Sequence, residues 1–128
     1  MYIEVSIGEV VDKYTILQIK EQNITDPVKL KNVTNERQYL ESVLSGSMAE
    51  LKDHIISMRS VNQKLWNIED GIRNKEVAGE FDSEFVELAR SVYFTNDERA
   101  KIKRSINMMF GSHFVEEKQY TEYAGNQH

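Results

Sequence analysis

The sequence predicts an all-α fold, an antiparallel bundle of about five helices around one long central helix. Three observations carry this. Apolar residues recur every three or four positions along most of the chain, the spacing of a helical face. Leu51, Met58, Leu65 and Ile72 keep a seven-residue spacing, with Val61 and Ile68 near the intermediate position, which makes a packing seam of bundle type. One Pro and six Gly in 128 residues leave little turn chemistry for many short strands. The length suits one domain, expected over residues 1–123 with a frayed tail at 124–128.

The elements follow in order. Ile3, Val5 and Ile7 alternate and suggest a short extended arm. Ser6 with Glu9 is a capping-box pattern, so a first helix starts there and runs to about Asn23. Val10, Val11, Tyr14, Leu17 and Ile24 share one face of it, while Ile16 and Ile19 point nearly opposite and Asp12 lies beside them. A helix apolar on two sides is either central in a bundle or held between two subunits. Asp26-Pro27 reads as cap and first residue of a second helix, striped by Leu30, Val33, Arg37, Leu40 and Leu44 and stopped by Gly46. Ser47 with Glu50 opens the long third helix, Met48 to about Val77, ended by Gly79. Gly71 inside it suggests close approach of a neighbouring helix. Asp82 caps a fourth helix with Phe85, Leu88, Ala89 and Val92 inward. Thr95 with Glu98 repeats the capping pattern, so a break or kink is expected near Thr95, followed by a fifth helix that Gly111 stops after Phe110. Phe114 and Val115 are expected to fold back.

Composition excludes several function classes. The chain has no Cys, so thiolate metal sites, disulfides and cysteine nucleophiles are ruled out. Met1 to Val5 has neither a basic segment nor an apolar run, so no signal peptide is expected, and a cytoplasmic setting is. No stretch approaches ~18 consecutive apolar residues, so no membrane span is expected. A net charge of −5 works against nucleic acid and anionic membrane as partners. The three His, at 54, 113 and 128, have no ligand spacing. No Glu-x-x-His pattern, nucleophile elbow or Gly-rich phosphate loop is present, and no metal site is expected.

Three polar constellations stand out against the apolar stripes. Asp12 has apolar neighbours on its face and needs a partner, expected to be an Arg. Glu69, at seven-residue spacing from Ile55 and Asn62, flanks the long seam. As a half-buried carboxylate it would pair either with Arg73 one turn on, or across the bundle with Arg99 or Arg90. Asn96 and Arg99 fall where a continuous stripe from Val92 to Ile102 would pass. With the helix broken at Thr95, Asn96 and Asp97 form an exposed first turn, and Arg99 turns inward to meet a carboxylate. Trp66 stands beside the seam, as a core aromatic or as an interface or stacking residue.

The blocks "EVSIGEVVDKYTILQIK", "VNQKLWNIEDGIR", "FVELARSVYFTNDERAKIKRSIN" and "GSHFVEEKQY" together resemble a small uncharacterised family of bacterial and phage proteins, domains of unknown function whose members stand near surface-polysaccharide or glycosyltransferase genes. The likeness covers about residues 3 to 120 and implies no activity. It implies recurrent polar positions at Glu9, Asp12, Lys13, Glu69, Asp70, Arg73, Arg90, Asn96, Asp97, Arg99 and Lys103. These overlap the residues that sit awkwardly in the stripes.

The functional expectation is a small intracellular binding or accessory module. A polar site between helices would hold an anionic small molecule or a protein partner, with Arg73, Arg90 and Arg99 on the anion and Glu69 and Asp12 orienting them. Asn96 and Asp97 belong to the same site. A homodimer is expected from the two apolar faces of the first helix and the long seam, unless the first helix is fully central. One rival is a helical-bundle enzyme acting on a phosphorylated or nucleotide-sugar substrate, with Glu69, Asp70 and Asp97 as acid/base groups or Mg²⁺ ligands. The other is a purely structural assembly part.

Overall fold

Four α-helices and one short 3-10 turn make up the computed structural model, which describes residues 1–111. They are α1 (Ile7–Asn23), α2 (Pro27–Leu44), the 3-10 turn (Ser45–Ser47), α3 (Met48–Ala78) and α4 (Ser83–Phe110). The expected fold-back at Phe114 and Val115 and the tail at 124–128 lie outside the described residues, as does the end of the expected domain.

The helix starts follow local chemistry. Ser6 Oγ accepts the Glu9 amide at 3.2 Å and opens α1. The other half of the box does not close, because the Glu9 carboxylate accepts from Lys103 instead. Pro27 begins α2 after Asp26, whose side chain makes no capping bond. Asp82 Oδ1 accepts the Phe85 amide at 2.9 Å and opens α4. The box read at Ser47 is absent, since that residue makes no side-chain cap bond. Gly46 does not stop the chain cleanly either. The 3-10 turn carries α2 almost directly into α3. Gly79 and Gly111 end α3 and α4 at φ +68° and +62°, a left-handed conformation that an L side chain strains to adopt.

The expected break at Thr95 does not occur. α4 runs unbroken from Ser83 to Phe110, so the described residues form four α-helices where five were expected. Thr95 is completely buried inside α4, and Asp97 is buried as well, so neither forms an exposed first turn. The capping box is a local signal, and here a continuous buried face outweighs it.

α1 packs against α2, α3 and α4, while α3 packs against α1 and pairs antiparallel with α4, Gly71 beside Leu88 and Lys64 beside Glu98. Val11, Tyr14, Leu44, Leu51, Met58, Val61 and Ile106 build the core. Val11, Tyr14, Leu17 and Ile19 of α1 are buried within one chain, while Val10, Ile16 and Ile24 are half-buried. The seam of α3 is real: Leu51, Met58, Val61, Leu65 and Ile68 are buried, with Ile72 half-buried. A Cβ on Gly71 would lie 3.3 Å from a Leu88 methyl, which is the close approach of α3 and α4 that its position suggested. Gly8 sets a tighter limit. Its Cβ would lie 2.7 Å from both Asn107 Oδ1 and the Lys103 carbonyl oxygen, so only glycine lets α1 enter against α4.

Among the described residues, no helix is long and apolar enough to cross a membrane.

Candidate functional site

One face of α1 is polar where it meets α3 and α4. Gly8, Asp12, Thr15 and Ile19, at i, i+4, i+7 and i+11, all point into the bundle and are all buried. The matching face of α4 carries Arg99, Lys103 and Asn107 at four-residue spacing. Lys103 and Asn107 are buried.

At the centre of this layer, Lys103 Nζ lies 3.2 Å from Asp12 Oδ2 and donates to Glu9 Oε2 at 3.0 Å. Asp12 does find a cation, but it is this lysine and not an arginine. Asp12 Oδ1 accepts from Asn62 Nδ2 at 2.8 Å, and the same Nδ2 reaches Thr15 Oγ1 at 3.0 Å. Thr15 Oγ1 in turn donates to the Asp12 carbonyl oxygen at 2.9 Å. An ionised carboxylate only accepts, so Asp12 fixes which end of the Asn62 amide faces it. The Asn62 carbonyl oxygen is therefore turned elsewhere. It is buried and has no donor. Nearby on α4, Thr95 Oγ1, Asn96 Oδ1 and Asn107 Nδ2 are likewise buried without a partner. The Gly8 amide donates to Asn107 Oδ1 at 2.7 Å and pins the start of α1.

A cleft of about 200 Å³ opens beside this layer, between α1, α3 and α4. Asn62 lines it, together with Ile16, Ile19 and Lys20 from α1. Leu65, Trp66 and Glu69 contribute from α3, and Arg99 from α4. Trp66, beside the seam, is half-buried and lines this cleft. Arg99 is half-buried and, among the described residues, has no ion pair or hydrogen bond. The expectation that Arg99 meets a carboxylate is thus not met: Glu69 shares the cleft but is exposed, and no ion pair joins the two. Unbroken helix geometry explains this, because it carries Arg99 on the same face as Lys103 and Asn107, toward α1. Lys20 is also without an ion pair among the described residues.

The remaining expected site residues lie apart from this cleft. Arg73 and Arg90 are exposed. Neither the Glu69–Arg73 pair nor a Glu69–Arg90 pair forms among the described residues, and Arg90 Nε instead reaches Tyr93 Oη at 3.5 Å. Asn96 is half-buried and Asp97 is buried, on α4 outside the cleft. Glu69 and Asp70 are exposed, and among the described residues no three acidic or histidine side chains gather as a metal site would require.

A second, more open hollow between α1, α2 and α3 is lined by Gln18, Glu21, Gln22, Arg37 and Arg59. Its Glu21 and Arg37 are already committed to structure. Arg37 donates to Glu21 through Nε at 2.7 Å and Nη2 at 3.2 Å, and to Glu41 through Nη1 at 3.1 Å. These bonds from Arg37 hold the Glu21 carboxyl below its ordinary value against the opposing effect of burial. Tyr14 Oη donates to Glu41 at 2.9 Å, and burial, followed by that bond, pushes its phenol up.

Among the described residues, the fold and site form a helical bundle with a buried polar layer that abuts an apolar-walled cleft, lined by Arg99 and Lys20 without ion pairs. Residues 1–126 match the model of a family of unknown function, DUF6165, and the chain belongs to that family. No curated protein and no solved structure matches it.

Proposed function

We propose that this protein is a small binding module that holds an anionic small molecule in the cleft between α1, α3 and α4. The observation that supports this most is Arg99, a half-buried guanidinium in a cleft, engaged by no acceptor among the described residues. Removing such a group from water without a compensating bond is unfavourable. A stability-driven sequence would place an aliphatic side chain there, and sites of function are where that rule is broken. Lys20 adds a second positive charge from the facing helix. Ile16, Ile19, Leu65 and Trp66 supply apolar walls, and such a mix of apolar lining and a few convergent polar groups is what ligand sites use. The anion is assigned to Arg99 and Lys20, because Arg73 and Arg90 stand outside the cleft.

The single tryptophan of the chain lines this cleft, so its fluorescence reports on occupancy directly. Titration with inorganic phosphate is expected to give a saturable change in Trp66 emission that weakens as NaCl is raised, since the exposed part of the interaction is screened. Arg99→Met is expected to abolish the response. A flat titration of the wild type would reject the reading.

A further inference from the structure

Resting on that reading, we infer that the anion carries one compact apolar group, the size of a single hydrocarbon ring, which enters the cleft ahead of its charge. The lining of the cleft is graded by depth. Its most buried side chains are Ile19, Asn62 and Leu65, at 1%, 4% and 8% exposure. Ile16, Lys20, Trp66 and Arg99 are half-buried, and Glu69 is exposed. The charged groups therefore stand at the mouth, within reach of water, and two aliphatic side chains stand at the inner end. Asn62 does not make that end polar for an occupant. Its Nδ2 donates to Asp12 at 2.8 Å and reaches Thr15 at 3.0 Å, and its Oδ1 is sealed from solvent.

This grading sorts anions by what they carry. A free phosphate meets Arg99 and Lys20 at the mouth and leaves the apolar wall uncovered. A phosphate on a hydroxylated ring would strip water from its hydroxyls against that wall, with no bond in return. An anion with a hydrocarbon body covers Ile16, Ile19, Leu65 and Trp66 and keeps its charge on the two cations. The volume sets the size of that body. An apolar cavity of ~150 Å³ holds one benzene molecule. At about 200 Å³ the cleft takes one ring with part of its head group, and a second ring would stand outside.

Isothermal titration calorimetry with phenyl phosphate, methyl phosphate, glucose 6-phosphate and phenol tests the inference. The three esters share a head group and differ in the body, while phenol has the ring without the phosphate. Wild type is expected to bind phenyl phosphate about tenfold or more tighter than either other ester, a factor that needs only ~55 Å² of apolar surface removed from water at ~25 cal/mol per Å². Phenyl phosphate alone of the esters is also expected to bind with a clearly negative heat-capacity change, the mark of apolar burial. Ile16→Ser is expected to lower the preference for phenyl over methyl phosphate about threefold, the scale of one lost methylene contact. The wild-type series needs no variant, so the inference stays open to refutation even where Ile16→Ser does not fold. Equal affinity of phenyl and methyl phosphate, or glucose 6-phosphate bound as tightly as phenyl phosphate, overturns it and leaves the anion site standing. Phenol bound as tightly as phenyl phosphate overturns the anion reading itself. No binding of any of the four, by heat or by Trp66 emission, overturns both.

Discussion

Asp12 and Arg99 are both charged side chains on inward helix faces, yet they differ in kind. Asp12 is bound on both oxygens, by Lys103 and by Asn62, and its burial is compensated. Arg99 has no such compensation among the described residues. Opposite responses to mutation follow. Lys103→Met leaves the Asp12 carboxylate buried without its cation and is expected to lower the unfolding free energy by about 3 kcal/mol, measured by urea denaturation. Arg99→Met removes no bond and is expected to leave stability unchanged or raise it by up to about 1 kcal/mol in the same assay, while phosphate binding is lost. The sequence disclosed Asp12 as a residue in need of a partner, because its helical neighbours are apolar. It did not disclose Lys103, since a lysine on a charged helix reads as solvent-facing until the opposite face of α1 is known. The periodicity was nevertheless there: Arg99, Lys103 and Asn107 follow one another at four-residue spacing, as do Gly8 and Asp12 on α1.

Glycine 8 shows how a whole element depends on one absent methyl group. Gly8→Ala would force its Cβ to within 2.7 Å of a backbone oxygen on α4, and backbone yields less easily than a flexible side chain. The substitution is expected to destabilise by about 1–3 kcal/mol through overpacking, seen as a lower urea midpoint with unchanged slope. At α2 the expected response is to acid. This helix packs against α1 and is tied to it by Glu21–Arg37, Tyr14–Glu41 and Lys13–Glu36. The Glu21 carboxyl is lowered in the folded state, first by its bonds to Arg37. Its contribution is therefore fully present above the ordinary value of 4.5 and is lost as pH falls through the lower folded value. Amide protection factors across α2, corrected for intrinsic exchange, are expected to fall below about pH 4.5 before those of α3 do. Equal loss in both helices would argue that α2 is not a separate unit. Of the elements themselves, the long seam, the caps at Ser6 and Asp82 and the stop at Gly79 were legible because each is written in a few adjacent residues. The continuity of α4 was not. The Thr95-to-Glu98 pattern is a genuine local start signal, overruled by a tertiary fact, the complete burial of Thr95.

The arrangement of the helices decides what the pattern of α1 means. Two apolar faces on one helix are compatible with a subunit interface or with a central position, and no local feature separates them. Here α1 packs against α2, α3 and α4 of its own chain, and Ile16 stays half-buried at the cleft. The all-α class and the long helix were readable from periodicity. The contact of α1 with three other helices was readable only as one of two alternatives, because its two apolar faces fit a central place and a subunit interface alike. The cleft was readable only in part. Glu69, Arg99, Asn62 and Trp66 were each conspicuous in the sequence, but only packing puts them around one space together with Lys20 from α1.

The bond from the Gly8 amide to Asn107, and the one from Lys103 to Glu9, join residues 99 and 94 positions apart. Such contacts must close a long loop before they return any stabilisation, whereas α3 and α4 are neighbours in sequence and can pair early. By the same argument α1 and α2, joined by three residues, can pair early, and the contacts of α1 with α4 close last. α1 is made first, yet its binding surface on α4 exists only after residue 107 has been added. Until then its two apolar faces are shielded at most by α2 and α3. Substitutions at Gly8 and Lys103 are accordingly expected to quicken unfolding and leave the folding rate nearly unchanged, the behaviour of contacts made after the barrier is crossed.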